Sequence, residues 1–437
     1  MWSTLPTEMK LTVADSLALD DVKNLSLVDR NTYTACLPST FKNVKLPNSR
    51  ALDDFLENVP RTYCKYIHHL ELFNDQHGNS ANIRAVTQSI IAILAASLCL
   101  EELVLNTTGS LHYSVISCFA HLTRLERLSI HHSGPEELRP LSERFVVSVA
   151  ASVPNLKRLS LDRVTRSTMH APELRGVPPY IPLVSGDDDI PDHPVLGAEL
   201  YLPSLLGIST LRELIIKDTH LGDPRWATVP VKCKLQFVDL GSCYHENEDF
   251  NSVCTQRIMA TVGKTVDEFS LTTTVSDAVF AKPSVTPLQC LRKLHISPFF
   301  PVDSVVDTMS NLAGSPIESL SMQCYEDDVV DVCAALEEFL TTRSERGAGF
   351  YEKLSRIDVS VTASADSNAQ LDSEEEAESR MATKRLQELC RDLSLASRFS
   401  KTMPRAAASR LAQSTGLAPS VSRWNGPSDG RLRSMTL

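Results

Sequence analysis

Histidine and cysteine side chains are the first candidates for chemistry, because they ligate metal ions and act as bases or nucleophiles. The sequence contains two adjacent histidine pairs, His68–His69 and His131–His132. Successive strand residues point to opposite faces, so neither pair easily places both rings on one metal ion. Cys36 and Cys64 each lack a base or an orienting partner that is visible in the sequence. We therefore expect no metal site, no cofactor and no thiol nucleophile.

Sequence motifs of catalytic and nucleotide-binding sites lead to the same expectation. The sequence contains no His-Glu-x-x-His pair of zinc ligands, no phosphate-binding Walker loop and no Gly-x-Gly-x-x-Gly dinucleotide motif. We therefore expect a protein that is not an enzyme. What remains is recognition by polar side chains, whose position depends on the elements that carry them.

A six-residue apolar pattern organises most of the chain. Hexamers of the form apolar-x-x-apolar-x-apolar begin at residues 67, 100, 125, 156, 211, 235, 266, 291, 317 and 354. Residues with helical spacing lie between copies, for example Val332, Leu336 and Phe339. Each unit of strand and helix can cover its apolar surfaces only against neighbouring units. The pattern therefore predicts an α/β solenoid over residues 66–360, with a curved parallel sheet inside and helices outside.

A longer interval between the fourth and fifth hexamers indicates an insertion at residues 163–203. It contains seven of the chain's 24 prolines and the acidic run Asp187–Asp189. Because proline is disfavoured in helix interiors and central strands, we expect a protruding loop here. Such a loop could gate or extend a binding face, or it could be a solvated connection without a role.

Strand alternation predicts which polar residues form a recognition surface. If the apolar hexamer positions face the core, the residues between and beside them face the concave side of the sheet. Arginine and histidine there can bind acidic or hydrogen-bonding segments of a target protein, although any one of them can equally be a solvated strand residue. The candidate target-binding residues are Arg127, His131, Arg158, Asp162, Lys217, Asp239, Lys293, His295, Gln323, Arg356 and Asp358.

The spacing of apolar residues predicts a separate helical module over residues 1–46. Met9 and Val13 lie four residues apart, as on one face of a helix. A second helix is expected to begin after Asp20 or Asp21, and Pro38 should interrupt it. Two or three such short helices bury little surface, so some of their apolar side chains should remain available to a partner.

Nine residues of this module follow a known pattern of Leu-Pro-x-Glu-Met, an apolar helix, Asp, and Leu-x-x-Val-x-Arg before an aromatic residue. They are Leu5, Pro6, Glu8, Met9, Asp21, Leu25, Val28, Arg30 and Tyr33. In these residues the module resembles an F-box, although Val22 stands where that family usually has leucine. The hexamers behind it resemble the leucine-rich repeats found in one class of F-box proteins.

This resemblance implies a function in ubiquitin transfer. An F-box docks onto the Skp-family adaptor, and through it onto the cullin, of a Skp-cullin-F-box ubiquitin ligase. The chain would be the non-catalytic substrate-recognition subunit that holds a target protein on its repeats. The alternative is a leucine-rich-repeat scaffold that works outside any ligase. The residues implied in adaptor binding are Leu5, Pro6, Met9, Leu25, Val28 and Tyr33.

Composition restricts the partners and the compartment. The formal net charge of −11 argues against nucleic acid as a partner. No signal sequence or membrane-spanning apolar run is visible, and the 11 cysteines include no Cys-x-x-Cys pair. We expect an intracellular protein of the cytoplasm, the nucleus or both, with no membrane partner and with reduced cysteines.

The remaining segments are predicted from composition. Residues 47–65 are expected to connect the helical module to the repeats. Residues 361–380 form an acidic linker by composition, and residues 381–397 have the spacing of an amphipathic helix that could cap the last repeat. Residues 398–437 carry seven Lys or Arg and one acidic residue, Asp429, which predicts a basic disordered tail.

Overall fold

The structure is a computed structural model that describes residues 2–74, 80–136, 138–347 and 349–362, together with residues 381, 384 and 385. The predicted acidic linker from residue 363 onward, the rest of the predicted amphipathic helix and the predicted basic tail lie outside the described residues.

The N-terminal module contains three helices: α1 (Thr7–Ser16), α2 (Leu19–Ser26) and α3 (Arg30–Phe41). Two expectations about their boundaries were wrong. The second helix begins before Asp20, so this carboxylate lies in the first turn. There its negative charge interacts favourably with the helix dipole, but it does not cap the helix. Pro38 lies inside α3, whose N-terminus is capped by Asp29; the carboxylate accepts from the backbone N–H groups of Asn31 and Thr32 at 2.8 and 2.9 Å.

The segment predicted as a simple connection is itself structured. It contains α4 (Ser49–Asn58), and a 3-10 turn follows at Arg61–Tyr66. Phe41 at the end of α3 packs against Phe55 of α4 and Tyr63 of the turn, with ring centroids 6.3 and 5.4 Å apart. These contacts attach the helical module directly to the rest of the chain.

Eleven described strands form one parallel sheet whose spatial order follows the sequence. Each of the ten predicted hexamers overlaps one of its strands, which confirms the predicted parallel sheet. The strands are β1 (Asn43–Leu46), β2 (His69–Phe73), β3 (Glu102–Thr107), β4 (Arg127–His132), β6 (Arg158–Asp162), β9 (Glu213–Lys217), β10 (Phe237–Leu240), β11 (Glu268–Leu271), β12 (Lys293–Ile296), β13 (Ser319–Tyr325) and β14 (Arg356–Thr362), and a separate small sheet contains β5 (Leu141–Ser142), β7 (Val164–Ser167) and β8 (Leu183–Val184).

The first strand of the large sheet was not predicted. Phe41, Val44 and Leu46 fit the same hexamer, so the sequence did contain its signal. The hexamer was missed because Phe41 was assigned to the end of the helical module. As a result, the sheet begins within residues 1–46, and β1 pairs in parallel with β2.

Helices cover the apolar side of the sheet. They are α5 (Ser80–Ala96), α6 (Ile116–Phe119), α7 (Glu143–Ser152), α8 (Glu248–Val262), α9 (Val305–Leu312) and α10 (Val329–Arg346). The hexamer leucines and isoleucines are buried with these helices in one continuous apolar cluster that extends from Leu46 to Val361. Each fully buried side chain of this kind contributes about 1.5–3 kcal/mol to stability. Within the described residues, no helix combines the length and apolarity needed to cross a membrane.

The insertion at residues 163–203 is anchored in the fold by its buried segments, so the predicted protruding loop was wrong for residues 164–167, whereas residues 172–180 are mostly exposed. All four residues of β7 are buried, and the carboxylate of Asp187 accepts hydrogen bonds from the hydroxyl groups of Ser142 at 2.6 Å and Ser167 at 2.8 Å. Buried Glu143 accepts from the backbone N–H of Ser167 at 2.9 Å. Prolines exclude long regular elements, but they allow the two- to four-residue strands and 3-10 turns that form here.

Candidate functional site

The register of the strands brings the predicted target-binding residues to one face of the large sheet. Side chains that alternate with the buried hexamer positions form this face, which we call the polar face; on β4 they are Arg127, Ser129 and His131. Each of the eleven candidate residues lies at such an alternating position in its strand. Whether they bind a target protein is a separate question, which their contacts address.

Cations of the polar face are paired with carboxylates on adjacent strands. Arg127 Nη2 lies 2.9 Å from Glu102 Oε2. Arg158 Nη1 lies 3.3 Å from Glu213 Oε2. Because both carboxylates belong to the same chain, these arginines are already neutralised and do not by themselves attract an acidic segment.

The same pairing continues toward the C-terminal strands. Lys293 Nζ and His295 Nε2 share Glu268, at 3.2 and 2.9 Å. Burial opposes ionisation of Glu268, but the hydrogen bond from His295 and the charges of His295 and Lys293 outweigh it and lower its pKa to about 2. Arg356 pairs with Asp358 on its own strand, and Gln323 donates to Thr362 Oγ1 at 2.7 Å.

Sequence reasoning missed the acidic half of this network, namely Glu102, Glu213 and Glu268. Each occupies the strand position immediately before a buried hexamer residue, the same position as Arg127, Arg158 and Lys293 on neighbouring strands. The alternation that selected the cations selects these glutamates equally well. Their pairing with these cations, by contrast, depends on the register between two strands, which cannot be read from one strand.

A second group of polar residues lies where the central strands end. We call Glu136, Asp162, Arg163, Asp218 and Tyr244 the edge cluster. Arg163 Nε lies 3.0 Å from Glu136 Oε1 and 3.7 Å from Asp218 Oδ2. His245 Nε2 lies 3.1 Å from Glu136 Oε2. Glu136 is buried, so both contacts compensate its carboxylate for the loss of hydration.

Two residues of the edge cluster have left-handed backbone conformations, with φ of 55° at Arg163 and 42° at Asp218. Arg163 directly follows Asp162, and Asp218 directly follows Lys217; Asp162 and Lys217 are paired in the register of β6 and β9. Such conformations cost about 1–3 kcal/mol each in a non-glycine residue. The turn at Asp218 is held by its carboxylate, which accepts from the backbone N–H of Tyr244 at 3.2 Å.

Electrostatics differ between the edge cluster and the rest of the polar face. Burial, followed by the charge of Asp218, raises the pKa of Asp162 to about 6. Burial also raises the pKa of Asp218. His131 Nδ1 lies 3.9 Å from Asp162 Oδ2, but burial lowers the pKa of His131 to about 4. At neutral pH the imidazole is therefore uncharged and does not neutralise Asp162.

The residues implied in adaptor binding have different surroundings. Pro6, Met9 and Val28 are exposed, with 53% exposure at Met9 and 65% at Val28. Leu5 and Leu25 are half-buried, and Leu25 packs against the small core of Ala14, Val22 and Cys36. Tyr33 is also half-buried, and its hydroxyl interacts with Tyr63 inside the chain. Exposed Val13, Leu17, Leu19 and Leu27 extend the open apolar surface of the module.

A cavity of about 380 Å³ lies between the insertion and the loop that follows β3. Its lining includes Ser110, His112, Arg139, Asp187 and Ile190. The Asp187 carboxylate is already bound by two serine hydroxyl groups, and Ser110 Oγ accepts from the backbone N–H of Ser142 at 2.7 Å. These polar groups are therefore engaged in holding the insertion in place.

Metal-binding and nucleophilic groups were sought in the part of the chain that the structure describes. There, no three His, Cys, Asp or Glu side chains are arranged to hold a metal ion. His131 lies on the polar face and His132 is buried on the opposite side, as strand geometry requires. The ten described cysteines are free thiols. Burial raises the pKa of Cys36 and Cys64, so the reactive thiolate form is disfavoured in both.

Comparisons with known proteins add little to this picture. No protein-family model and no curated protein sequence matches the chain. Among solved structures, the chain is similar to the crystal structure of the Rad7 and Elc1 complex in yeast, with a TM-score of 0.34 and 15% sequence identity. That similarity covers 85% of this chain and 93% of the other chain. At this level of similarity, the function of this chain has to be argued from its own residues.

Proposed function

We propose that this protein is the substrate-recognition subunit of a Skp-cullin-F-box ubiquitin ligase. The N-terminal module acts as the F-box and docks onto the Skp-family adaptor, and through it onto the cullin. The strands and helices behind it form a leucine-rich-repeat solenoid that holds the target protein on its polar face. The receptor works inside the cell and catalyses no reaction, because other subunits transfer ubiquitin.

The exposed apolar surface of the helical module is the observation that carries this proposal. Met9 and Val13 lie four residues apart on α1 and are both exposed, and Leu27 and Val28 are exposed after α2. Meanwhile the module's own core is small, consisting of Ala14, Val22 and Cys36 with Leu25 against them. Apolar surface of this kind, left open by a module with its own core, is typical of a docking site.

The connection between the module and the sheet supports a receptor. Helix α3 is followed directly by β1, which pairs with β2, and Phe41 packs against Phe55 and Tyr63. A target bound to the polar face is thus held at a fixed distance from the adaptor-binding surface. A receptor of this kind accelerates ubiquitin transfer by raising the local concentration of the target's lysines near the conjugating enzyme.

Affinity purification from cells treated with a proteasome inhibitor tests this proposal. We expect the wild-type protein to copurify with the Skp-family adaptor, the cullin and at least one target protein. The triple substitution of Leu5, Pro6 and Leu25 by alanine should remove adaptor and cullin but keep the target. Because Leu25 packs on the module's core, circular dichroism must show that the variant is folded. Recovery of a target without adaptor from the wild type would instead support a scaffold outside the ligase.

A further inference from the structure

Charge is unevenly distributed over the polar face. At the first positions of their strands, Arg127, Arg158 and Lys293 each pair with a carboxylate on a neighbouring strand. Around the edge cluster, by contrast, the four carboxylates of Glu136, Asp162, Asp218 and Asp239 face the two cations Arg163 and Lys217 and the imidazole of His245, which contacts Glu136. With the neighbouring His131 uncharged at neutral pH, this region carries an excess of negative charge. An added cation would balance it.

Asp239 competes with Asp162 for the charge of Lys217. Its side chain is 0% exposed, and Oδ1 accepts from Lys217 Nζ at 3.1 Å. Oδ2 is buried with no hydrogen-bond partner among the described residues. A buried carboxylate oxygen without a partner is costly. Asp239 therefore engages the ammonium group of Lys217. Asp162, which pairs with Lys217 in the strand register, is left in contact with the uncharged His131.

Tyr244 supplies an aromatic surface beside these carboxylates. Its side chain is 59% exposed, and its ring lies 4.0 Å from that of His245 at an interplanar angle of 36°. The hydrogen bond from its backbone N–H to Asp218 fixes the residue next to that carboxylate. An exposed ring next to carboxylates is a favourable environment for a lysine or arginine side chain.

The chain contains an internal example of the same arrangement. The guanidinium group of Arg225 lies 4.4 Å from the ring centroid of Tyr201, and its Nη1 lies 3.6 Å from Asp223 Oδ2. A tyrosine ring and an aspartate thus hold an arginine of this chain. In the edge cluster, Arg163 of this chain interacts with the Tyr244 hydroxyl group and with Asp218, and Asp162 adds a second carboxylate, which lies 3.9 Å from the uncharged His131.

We propose that the edge cluster binds a lysine or arginine side chain of the target protein, between the carboxylates of Asp162 and Asp218 and the ring of Tyr244. This inference rests on the proposed binding of a target to the polar face, but it does not depend on adaptor docking. The raised pKa values of Asp162 and Asp218 agree with it, because a bound cation would stabilise both ionised forms. A protein segment is favoured over a metal ion, since no three ligands converge within the described residues.

Peptide binding measured by fluorescence anisotropy tests this inference. The probe is a fluorescein-labelled peptide of three Gly-Ser-Arg units, and the same peptide with Gln in place of Arg is the matched neutral control. We expect the Arg peptide to bind the full chain at pH 7.5 at least tenfold more tightly than the Gln peptide. Equal binding of both peptides, or no binding of the Arg peptide at about 1 mM, would overturn the inference.

Variants locate the binding site. The double variant D162N/D218N should bind the Arg peptide at least tenfold more weakly, and Asn is well suited to the left-handed backbone at position 218. Tyr244→Ala should weaken binding about threefold. Phe299→Ala is the matched aromatic control, since Phe299 is 58% exposed, and Glu71→Gln is the acidic control on β2. Unchanged affinity in D162N/D218N, or equal losses in the controls, would place binding elsewhere.

Adaptor binding by the same variants separates this inference from the proposed function. The double variant should copurify with the adaptor as the wild type does, and its thermal unfolding should show that it is folded. If the adaptor fails to bind any variant, including the wild type, the ligase role falls while the peptide measurement still decides the role of the edge cluster.

Discussion

Buried His220 contributes to the response of the protein's stability to acid. His220 is buried, and burial, with the charge of Arg166, lowers its pKa to about 4, although Glu246 Oε1 lies 3.3 Å from its Nε2. Between pH 6.5 and 4 the unfolded chain therefore binds a proton at this residue that the folded chain does not. The contribution of His220 to stability is lost as the pH falls through this range. Asp162, with its raised pKa, has the opposite effect between pH 3.8 and about 6.

We predict that His220→Asn reduces the pH dependence of stability. Removal of the titrating group should lower the slope of the unfolding free energy against pH between pH 6.5 and 4. The decrease should be up to about 1.4 kcal/mol per pH unit, which corresponds to about one proton. Urea unfolding at a series of pH values measures this slope. His121→Asn, at an exposed histidine, is the control and should keep the wild-type slope. An unchanged slope in His220→Asn would mean that His220 is protonated in the folded chain.

At the residue scale, the sequence predicts which face of the sheet a side chain lies on better than it predicts which side chain it pairs with. Alternation placed Arg127 and Lys293 on the correct face because side-chain direction repeats every two residues in any strand. Their partners Glu102 and Glu268 depend on how neighbouring strands align, which a single sequence does not encode locally. The sequence therefore predicts the face of the sheet on which these cations lie, but not the ion pairs that they form.

Secondary-structure elements show the same division between local and long-range information. The hexamers predicted strands β2 to β4 because the spacing of leucines is a local signal. The buried part of the insertion was not predicted because it depends on long-range contacts of Asp187 with Ser142 and Ser167. A high proline content indicates that long helices and strands are absent, but it does not indicate whether a segment packs against the rest of the fold.

We predict that Asp187 holds the insertion in place. Asp187→Ala leaves the buried hydroxyl groups of Ser142 and Ser167 without their acceptor, so the unfolding free energy should fall by about 2–3 kcal/mol. Limited proteolysis should also cut the insertion faster. Asp188→Ala, at the exposed neighbouring residue, is the matched control and should change neither quantity. Equal effects of the two substitutions would show that the hydrogen bonds of Asp187 do not hold the insertion.

The whole molecule has two surfaces of different chemistry, joined without a linker. The N-terminal helices expose apolar side chains, and the polar face of the sheet carries paired charges with an acidic excess at the edge cluster. In the receptor that we propose, the first surface docks onto the adaptor and the second recognises a basic side chain of the target. In the proposed receptor, each surface can be inactivated while the other remains intact.

The most direct test of this account is isothermal titration of the recombinant Skp-family adaptor against the full chain. We predict that Met9→Glu and Val28→Glu each weaken adaptor binding at least a hundredfold, because both place a charge in the exposed apolar surface of the module. Val253→Glu, at a residue that is 53% exposed like Met9, and Leu138→Glu, at one that is 77% exposed, are the matched controls and should bind with wild-type affinity. Adaptor binding that is absent from the wild type, or that survives both Met9→Glu and Val28→Glu, would contradict the account.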